Sequence, residues 1–255
     1  MRYINLLKYL SNWWLHFAVK LGITKADPLL FKARGGVVVE VPRRLLHEFK
    51  EIFMENAYLA GLGGALPPSP VIIDVGSNAG FFSLFAAACF PGARILSFEP
   101  IPANFKQLSR NKELNGRIQM TCFPQAVYGH VGEIFLSFDP DDSFTTSATV
   151  LRRSGRKTGL TVSCTTLQQI FEKHRINRCD LLKLDCEGAE FDILYKCPPD
   201  LFPQIERIAM EVHNGDDKDQ NLRSLVSFLS SRGYVVSHRK QMLWAWHSLT
   251  DTFRK

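Results

Sequence analysis

Two acids that close apolar runs, with a glycine turn between them, are the residues best suited to chemistry. Val71-Ile72-Ile73 runs into Asp74, and Gly76 and Gly80 follow within Val75-Gly76-Ser77-Asn78-Ala79-Gly80, before the helix-forming stretch FFSLFAAACF. This pattern predicts a buried strand, a tight turn and a helix N-terminus. There, backbone N–H groups and the helix dipole meet a ligand at close range. Downstream, the apolar run Arg94-Ile95-Leu96-Ser97-Phe98 ends in Glu99. A carboxylate at the tip of a second strand is placed to grip two ribose hydroxyls. Together the two features predict a nucleoside cofactor.

The spacing selects among nucleosides. A dinucleotide fingerprint, G-x-G-x-x-G, needs glycine where Asn78 stands, and no Gly-Lys-Ser/Thr follows as a phosphate loop requires. Asp74, read as lying beneath the ligand, would repel a pyrophosphate and suit an ammonium group. S-adenosylmethionine (SAM) carries an amino acid end, a sulfonium and a ribose but no phosphate, so it is the predicted cofactor.

Further acids occur where apolar runs end: Asp185, Glu187 and Glu190 in LLKLDCEGAEFDIL, and Glu211 and His213 in IERIAMEVH. In open α/β sheets ligands bind at the carboxyl ends of the strands. That rule gathers Asp74, Glu99, Ala126-Val127, Asp185 and Glu211 to His213 along one edge. Methyl transfer needs alignment and a means of weakening the acceptor proton. Two arrangements meet that need. Asp185 or His213 acts as general base, with Glu187 and Glu190 beside the methyl; or Asp185 and Glu211, with His213 or Asn214, hold Mg²⁺ that acidifies a hydroxyl. Glu190 reads equally well as a helix N-terminal acid. Strand alternation puts Lys183 and Asp185 on one face, where an ion pair is expected. Cys186, flanked by Asp185 and Glu187, is expected to have a raised pKa and so not to be a nucleophile. The chain has no Asn/Asp-Pro-Pro-Tyr/Phe run and no Pro-Cys dipeptide. Both absences weigh against nitrogen and cytosine C5 acceptors and favour oxygen.

The elements that must position these residues follow from periodicity. From Val71 onward strand and helix patterns alternate, which predicts a doubly wound α/β fold with a mostly parallel, seven-stranded sheet. The strands are expected at 71–75, 94–98, 118–123, 180–185, 205–212, 233–237 and 241–247. Helices are expected at 79–89, 102–114, 165–174, 187–196 and 218–232. Residues 1–69 form an N-terminal cap: an amphipathic helix over 1–24, a hairpin over 30–45 turning at Gly35-Gly36, and a helix from Leu45. The Gly- and Pro-rich loop 61–70 separates it from the SAM-binding domain, 70–255, in which about 129–160 is an insert.

Three blocks carry a family resemblance: IIDVGSNAGFFSL with SFEPIPANFKQLSRN downstream, LLKLDCEGAEFDIL at 181–194, and IERIAMEVH at 205–213. On these the chain resembles class I SAM-dependent methyltransferases, and more narrowly the FkbM family, over roughly residues 30–240. The resemblance implies that Asp74, Gly76, Asn78 and Gly80 surround the methionine part of SAM, that Glu99 binds its ribose, and that Ala126 lies by the adenine. It also implies an acceptor hydroxyl on a sugar of a glycan or glycolipid, or on a secondary metabolite. Family members often carry Thr-Leu-Asp where this chain has Thr166-Leu167-Gln168, a change expected to alter a local cap and not the chemistry.

Composition bounds the alternatives. With 31 basic and 25 acidic residues in 255, the net charge of +6 is a mild excess. The bases are dispersed except for Arg152-Arg153-Ser154-Gly155-Arg156-Lys157. An RNA methyltransferase using that cluster is a competing reading, although nucleic acid is the less favoured partner. Six cysteines without a CxxC pair point to a reducing, cytoplasmic compartment. In residues 1–24, Tyr3, Leu6, Leu7, Leu10, Trp13, Trp14, Phe17 and Leu21 form an apolar stripe far short of a membrane span. The stripe either packs on the domain or a dimer partner, or makes peripheral membrane contact. The last option admits a third reading, a non-catalytic membrane-associated interaction protein.

Overall fold

The computed structural model describes residues 2–137, 159–215 and 217–248. The basic cluster 152–157 lies outside the described residues.

The chain opens with two helices, α1 (Arg2–Tyr9) and α2 (Trp14–Lys20), followed by the antiparallel strands β1 (Leu29–Lys32) and β2 (Val38–Val41). The single helix expected over 1–24 is thus broken. At the break the chain joins the hairpin instead: Ser11 N donates to Lys32 O at 2.8 Å, and Leu10 bridges Ala33. The Asn12 amide accepts from Lys32 N at 2.7 Å and donates to Leu30 O at 2.9 Å. A short polar side chain offering the backbone another partner is a common reason for a helix to stop. The helix expected from Leu45 is also shorter. It comprises a 3-10 turn, α3 (Leu46–Lys50) and a π-helical turn (Glu51–Glu55), and ends at Asn56 in the left-handed conformation.

Strand and helix then alternate: β3 (Val71–Val75), α4 (Phe81–Cys89), β4 (Arg94–Phe98), α5 (Pro102–Glu113) and β5 (Gln119–Phe123). An excursion of β6 (Ala126–Val127), β7 (Gly132–Ser137) and β8 (Gly159–Thr165) forms a separate three-stranded sheet. The wound fold resumes with α6 (Leu167–His174), β9 (Leu181–Leu184), α7 (Glu190–Tyr195), β10 (Arg207–Glu211), α8 (Leu222–Ser231), β11 (Tyr234–Arg239) and β12 (Met242–His247). The main sheet has seven strands in the order β11-β12-β10-β9-β3-β4-β5. All neighbours are parallel except at β12, which runs antiparallel to β10 and β11. β9 is buried along its whole length, as a parallel strand covered on both faces must be. The strand order reverses between β3 and β9, and the crevice above that point is where such sheets bind ligands.

The cap shares a core with one sheet face. Phe31 stacks on Phe49 (ring centroids 4.4 Å apart), Phe49 on Phe53 (4.7 Å), and Phe53 meets Phe85 of α4 edge-on (5.1 Å). Two asparagines four residues apart, Asn111 on α5 and Asn115 just beyond its end, fix the hairpin edge. Asn115 accepts from Val38 N and Asn111 from Glu40 N, both at 2.8 Å, while Asn111 also donates to Ala79 O in the glycine turn. Thr166 caps α6 by accepting from Gln169 N at 3.2 Å, and Gln168 pairs on the surface with Glu172. The Gln168 departure therefore sits away from the strand tips.

Candidate active site

The glycine turn is held from both sides. Gly76 N and Ser77 N each donate to Phe98 O at 3.0 Å. Gly76 has φ +72°, and a Cβ there would lie 1.7 Å from Asp185 O, so only glycine lets the turn pass under the tip of β9. Asn78 also takes a left-handed conformation (φ 48°), which turns its N–H onto Glu99 Oε2 at 2.8 Å.

Two cavities open at this edge, and Gly76, Asn78 and Asp185 line both. The first lies over the tips of β3 and β4. Glu99 stands on its wall, only 4% exposed, and accepts from Asn78 N and Ile101 N, both at 2.8 Å. Burial raises the Glu99 acid to about 7, although the two N–H donors and Lys183 pull the other way. Ile101, Ala126, Ile134 and Leu136 give the cavity an apolar side. Its described lining contains no Lys, Arg or His but three carboxylates, Glu99, Asp185 and Glu187. Such a wall fits a phosphate-free, cationic nucleoside and disfavours a dinucleotide, which is the property that distinguishes SAM.

Asp74 and Gly80, expected around the methionine part of SAM, line neither cavity. Asp74 is fully buried. Strand register sets Lys183 on one side of it and Ser97 on the other. Its carboxylate accepts from Ser83 Oγ at 2.6 Å and meets Lys183 Nζ at 3.1 Å. A carboxylate with no water must find its countercharge inside the protein. Here the ammonium is that of Lys183, which also donates to Gly76 O at 2.8 Å and so braces the turn from below. Burial works against the Lys183 charge, but Asp74 and Asp185 more than offset it and raise its pKa. Gly80, at φ +83°, starts α4, and a Cβ there would meet Leu108 Cδ1 at 2.6 Å.

The second cavity lies between the cap and the antiparallel edge of the sheet. Its wall combines Tyr58, Phe82 and Trp244 with the acids Glu48, Glu51, Glu55 and Glu211, and Arg239 and Lys240 stand at its side. Asp185 occupies the boundary between the two cavities. It lies 3.6 Å from Lys183 Nζ, the expected pair, and accepts from the Tyr58 hydroxyl at 2.7 Å. Burial and the Asp185 charge push the Tyr58 phenol well above its ordinary pKa, so it remains a donor. The sequence reading missed Tyr58 and Trp244. Trp244 Nε1 donates to Tyr58 O at 2.8 Å and thereby ties β12 to the cap.

His213 lies behind this boundary and lines neither cavity. Its Nδ1 is 2.8 Å from Glu190 Oε1, and its Nε2 is 3.7 Å from Glu187. Burial disfavours its charge, yet Glu190, Glu187 and Asp185 together raise it to about 9. Glu190 is fully buried and also accepts from Gly188 N (2.8 Å) and Cys186 N (3.3 Å), so it orders the loop that carries Glu187. Burial, with Asp185 and Glu190 adding to it and His213 opposing, raises Glu187 to about 7. Burial first, then Glu190 and Asp185, raise the Cys186 thiol far above its usual range, as expected of a thiol that is no nucleophile.

Asp185, Glu211 and His213 offer ligand atoms within 4.8 Å of one another. The donor set nevertheless fits Mg²⁺ poorly. Mg²⁺ favours an oxygen shell with waters, whereas here Lys183 and the Tyr58 hydroxyl already engage Asp185, and His213 is held in its protonated form by Glu190.

Comparison with known proteins agrees with this architecture. The model of the methyltransferase FkbM domain matches residues 74–236. The 31-O-demethyl-FK506 methyltransferase FkbM of Streptomyces tacrolimicus is 28% identical over 231 residues, spanning 77% of this chain and 84% of that protein. The hexuronic acid methyltransferase AglP of Haloferax volcanii is 28% identical over 152 residues, 58% of this chain and 59% of that protein. Among solved structures, the methyltransferase FkbM of Methylobacillus flagellatus KT superposes with a TM-score of 0.51 at 14% identity. It covers 80% of this chain, which spans about half (54%) of that protein, and supports the fold alone. Because the family model reaches from the end of β3 into β11, over more than half of the chain, the chain belongs to the FkbM family of SAM-dependent methyltransferases.

Proposed function

We propose that the enzyme transfers a methyl group from SAM to a hydroxyl of a small-molecule or glycan acceptor, with Asp185 as the general base. The observation that carries this reading is the position of Asp185, among the described residues the one acid on the walls of both cavities. In this assignment Glu99 takes the ribose hydroxyls, Asn78 and Gly76 border the methionine end, and Ala126 helps form the adenine slot. SAM supplies a methyl group already activated on a sulfonium. The remaining task for the protein is to align the acceptor and receive its proton.

Asp185 is oriented for that task by Tyr58 and Lys183. His213, raised to about 9, carries a proton at neutral pH and suits the role of a positioning cation for Glu187 and Glu190. The described lining of the second cavity has five acids against Lys183, Arg239 and Lys240, an acidic excess that weighs against a phosphate backbone and so against RNA. The relatives named as methyltransferases of 31-O-demethyl-FK506 and of a hexuronic acid support an oxygen acceptor.

The test uses methyl-labelled SAM with separate pools of oligosaccharides, glycolipids and hydroxylated metabolites, with and without a chelator. Base-stable label on an organic acceptor, undiminished by chelation, is the expected result. Base-labile label would point to a carboxyl acceptor, label in RNA to the competing reading, and loss of transfer on chelation to a metal.

A further inference from the structure

The cap carries a surface that methyl transfer does not use. α1 buries Leu6, yet Tyr3, Ile4 and Leu7 on its other side are 46–67% exposed. On α2 and just beyond it, Trp14, Leu21 and Ile23 are 57–74% exposed. The two faces meet, because Tyr3 stacks on Phe17 (5.8 Å) and Trp13 packs edge-on against the same ring (6.1 Å). Eight of the eleven large apolar side chains left exposed among the described residues fall within residues 1–30. Exposed apolar surface concentrated in this way marks a contact surface.

Charge indicates what that surface contacts. Residues 1–39 contain Arg2, Lys8, Lys20, Lys25, Lys32 and Arg34 against a single acid, Asp27. This segment therefore supplies most of the chain's net charge of +6. Lys8, Lys20, Lys25 and Lys32 are exposed. A second copy of the chain would bring this basic face against itself in a two-fold interface, where like charges repel. A surface of opposite charge meets no such penalty. Tryptophan and tyrosine beside lysines suit the boundary between water and lipid, where rings bury their apolar edge and ammonium groups meet phosphate. Among the described residues no helix is long and apolar enough to cross a membrane, so contact would lie in the plane of the surface. We propose that the face formed by α1 and α2 docks the protein on an anionic membrane surface. α1 is itself tied to the wall of the second cavity, through Asn5 Nδ2 donating to Met54 O (2.9 Å) and Arg2 pairing with Glu55 (3.4 Å). Docking would thus bear on the cap segment that lines that cavity.

Co-sedimentation of the full chain with vesicles tests the proposal, using phosphatidylcholine alone and phosphatidylcholine mixed with phosphatidylglycerol. The wild type should partition onto the anionic vesicles at least about tenfold better than onto the neutral ones, and salt should weaken the binding. A Trp14→Ser, Leu21→Ser, Ile23→Ser variant should lose about tenfold or more in partitioning while keeping its melting temperature, since all three side chains are exposed. Lys20→Glu with Lys25→Glu should lose the preference for anionic lipid. Absence of vesicle binding by folded wild type, equal binding to neutral vesicles, or binding unchanged by the triple variant would overturn the proposal. So would self-association abolished by the triple variant in a protein that ignores vesicles.

Discussion

The two cavities share three residues and differ in almost everything else. The first is built from strand tips and the insert, has an apolar side, and among the described residues is lined by carboxylates without a cation. The second is lined by the cap, by the antiparallel edge and by the glycine turn with α4 and the end of β9, and it sets four glutamates and Asp185 beside Lys183, Arg239, Lys240 and the rings of Tyr58, Phe82 and Trp244. The contrast fits the division of labour proposed above. In that reading the parallel sheet supplies the nucleoside site at its switch point, while the cap and the last strand shape the acceptor site. Asp185 belongs to both, which is why the proton transfer is assigned to it.

The largest way to break this arrangement is Gly76→Ala. A methyl group there overlaps a backbone carbonyl, and φ +72° is unfavourable for alanine. The expected outcome is loss of SAM binding together with a stability loss of about 2–4 kcal/mol, measured by calorimetry and denaturant unfolding. Next in size, Asp185→Asn should lower kcat by about 10²–10⁴ while SAM affinity changes only a few-fold. Equal losses in both would remove the distinction between base and binding group. Tyr58→Phe should sharpen the comparison from the acceptor side. Removing the hydroxyl from Asp185 should cost about tenfold in kcat and leave the SAM Kd within about twofold.

The smallest effect concerns the support behind the boundary. Because the folded pKa of His213 is raised to about 9, its protonation stabilises the fold fully below its unfolded value and less as pH rises through about 9. His213→Gln should therefore cost about 2 kcal/mol near pH 6 and little near pH 10, as read from unfolding curves at the two pH values. A cost independent of pH would mean that His213 acts by packing alone.

The first cavity was largely legible in the sequence, because its residues sit at the ends of apolar runs in one alternating pattern. Glu99, Gly76 and Asn78 are where that pattern predicts, and the seven strands match it apart from residues at their ends. The place of Asp74, beneath the turn and paired with Lys183, rests on a contact that local pattern cannot reveal. Lys183 is more than a hundred residues away and is brought alongside only by the β3–β9 register. Tyr58 and Trp244 escaped notice because one follows a helix that ends early and the other lies on the antiparallel strand, and only folding brings them together. The break between α1 and α2 was hidden for a similar reason, since Asn12 finds its partners in β1.

The most direct test of the account is calorimetric titration of SAM into wild type and Glu99→Ala at pH 6 and pH 8. Ribose hydroxyls favour the ionised carboxylate, so binding should draw the Glu99 pKa down from about 7 and release a proton. The account predicts wild-type affinity in the micromolar range that strengthens from pH 6 to pH 8. The variant should bind about 10–100-fold more weakly and without that pH dependence. No binding by folded wild type, or an affinity that Glu99→Ala leaves unchanged, would contradict the assignment of the first cavity to SAM.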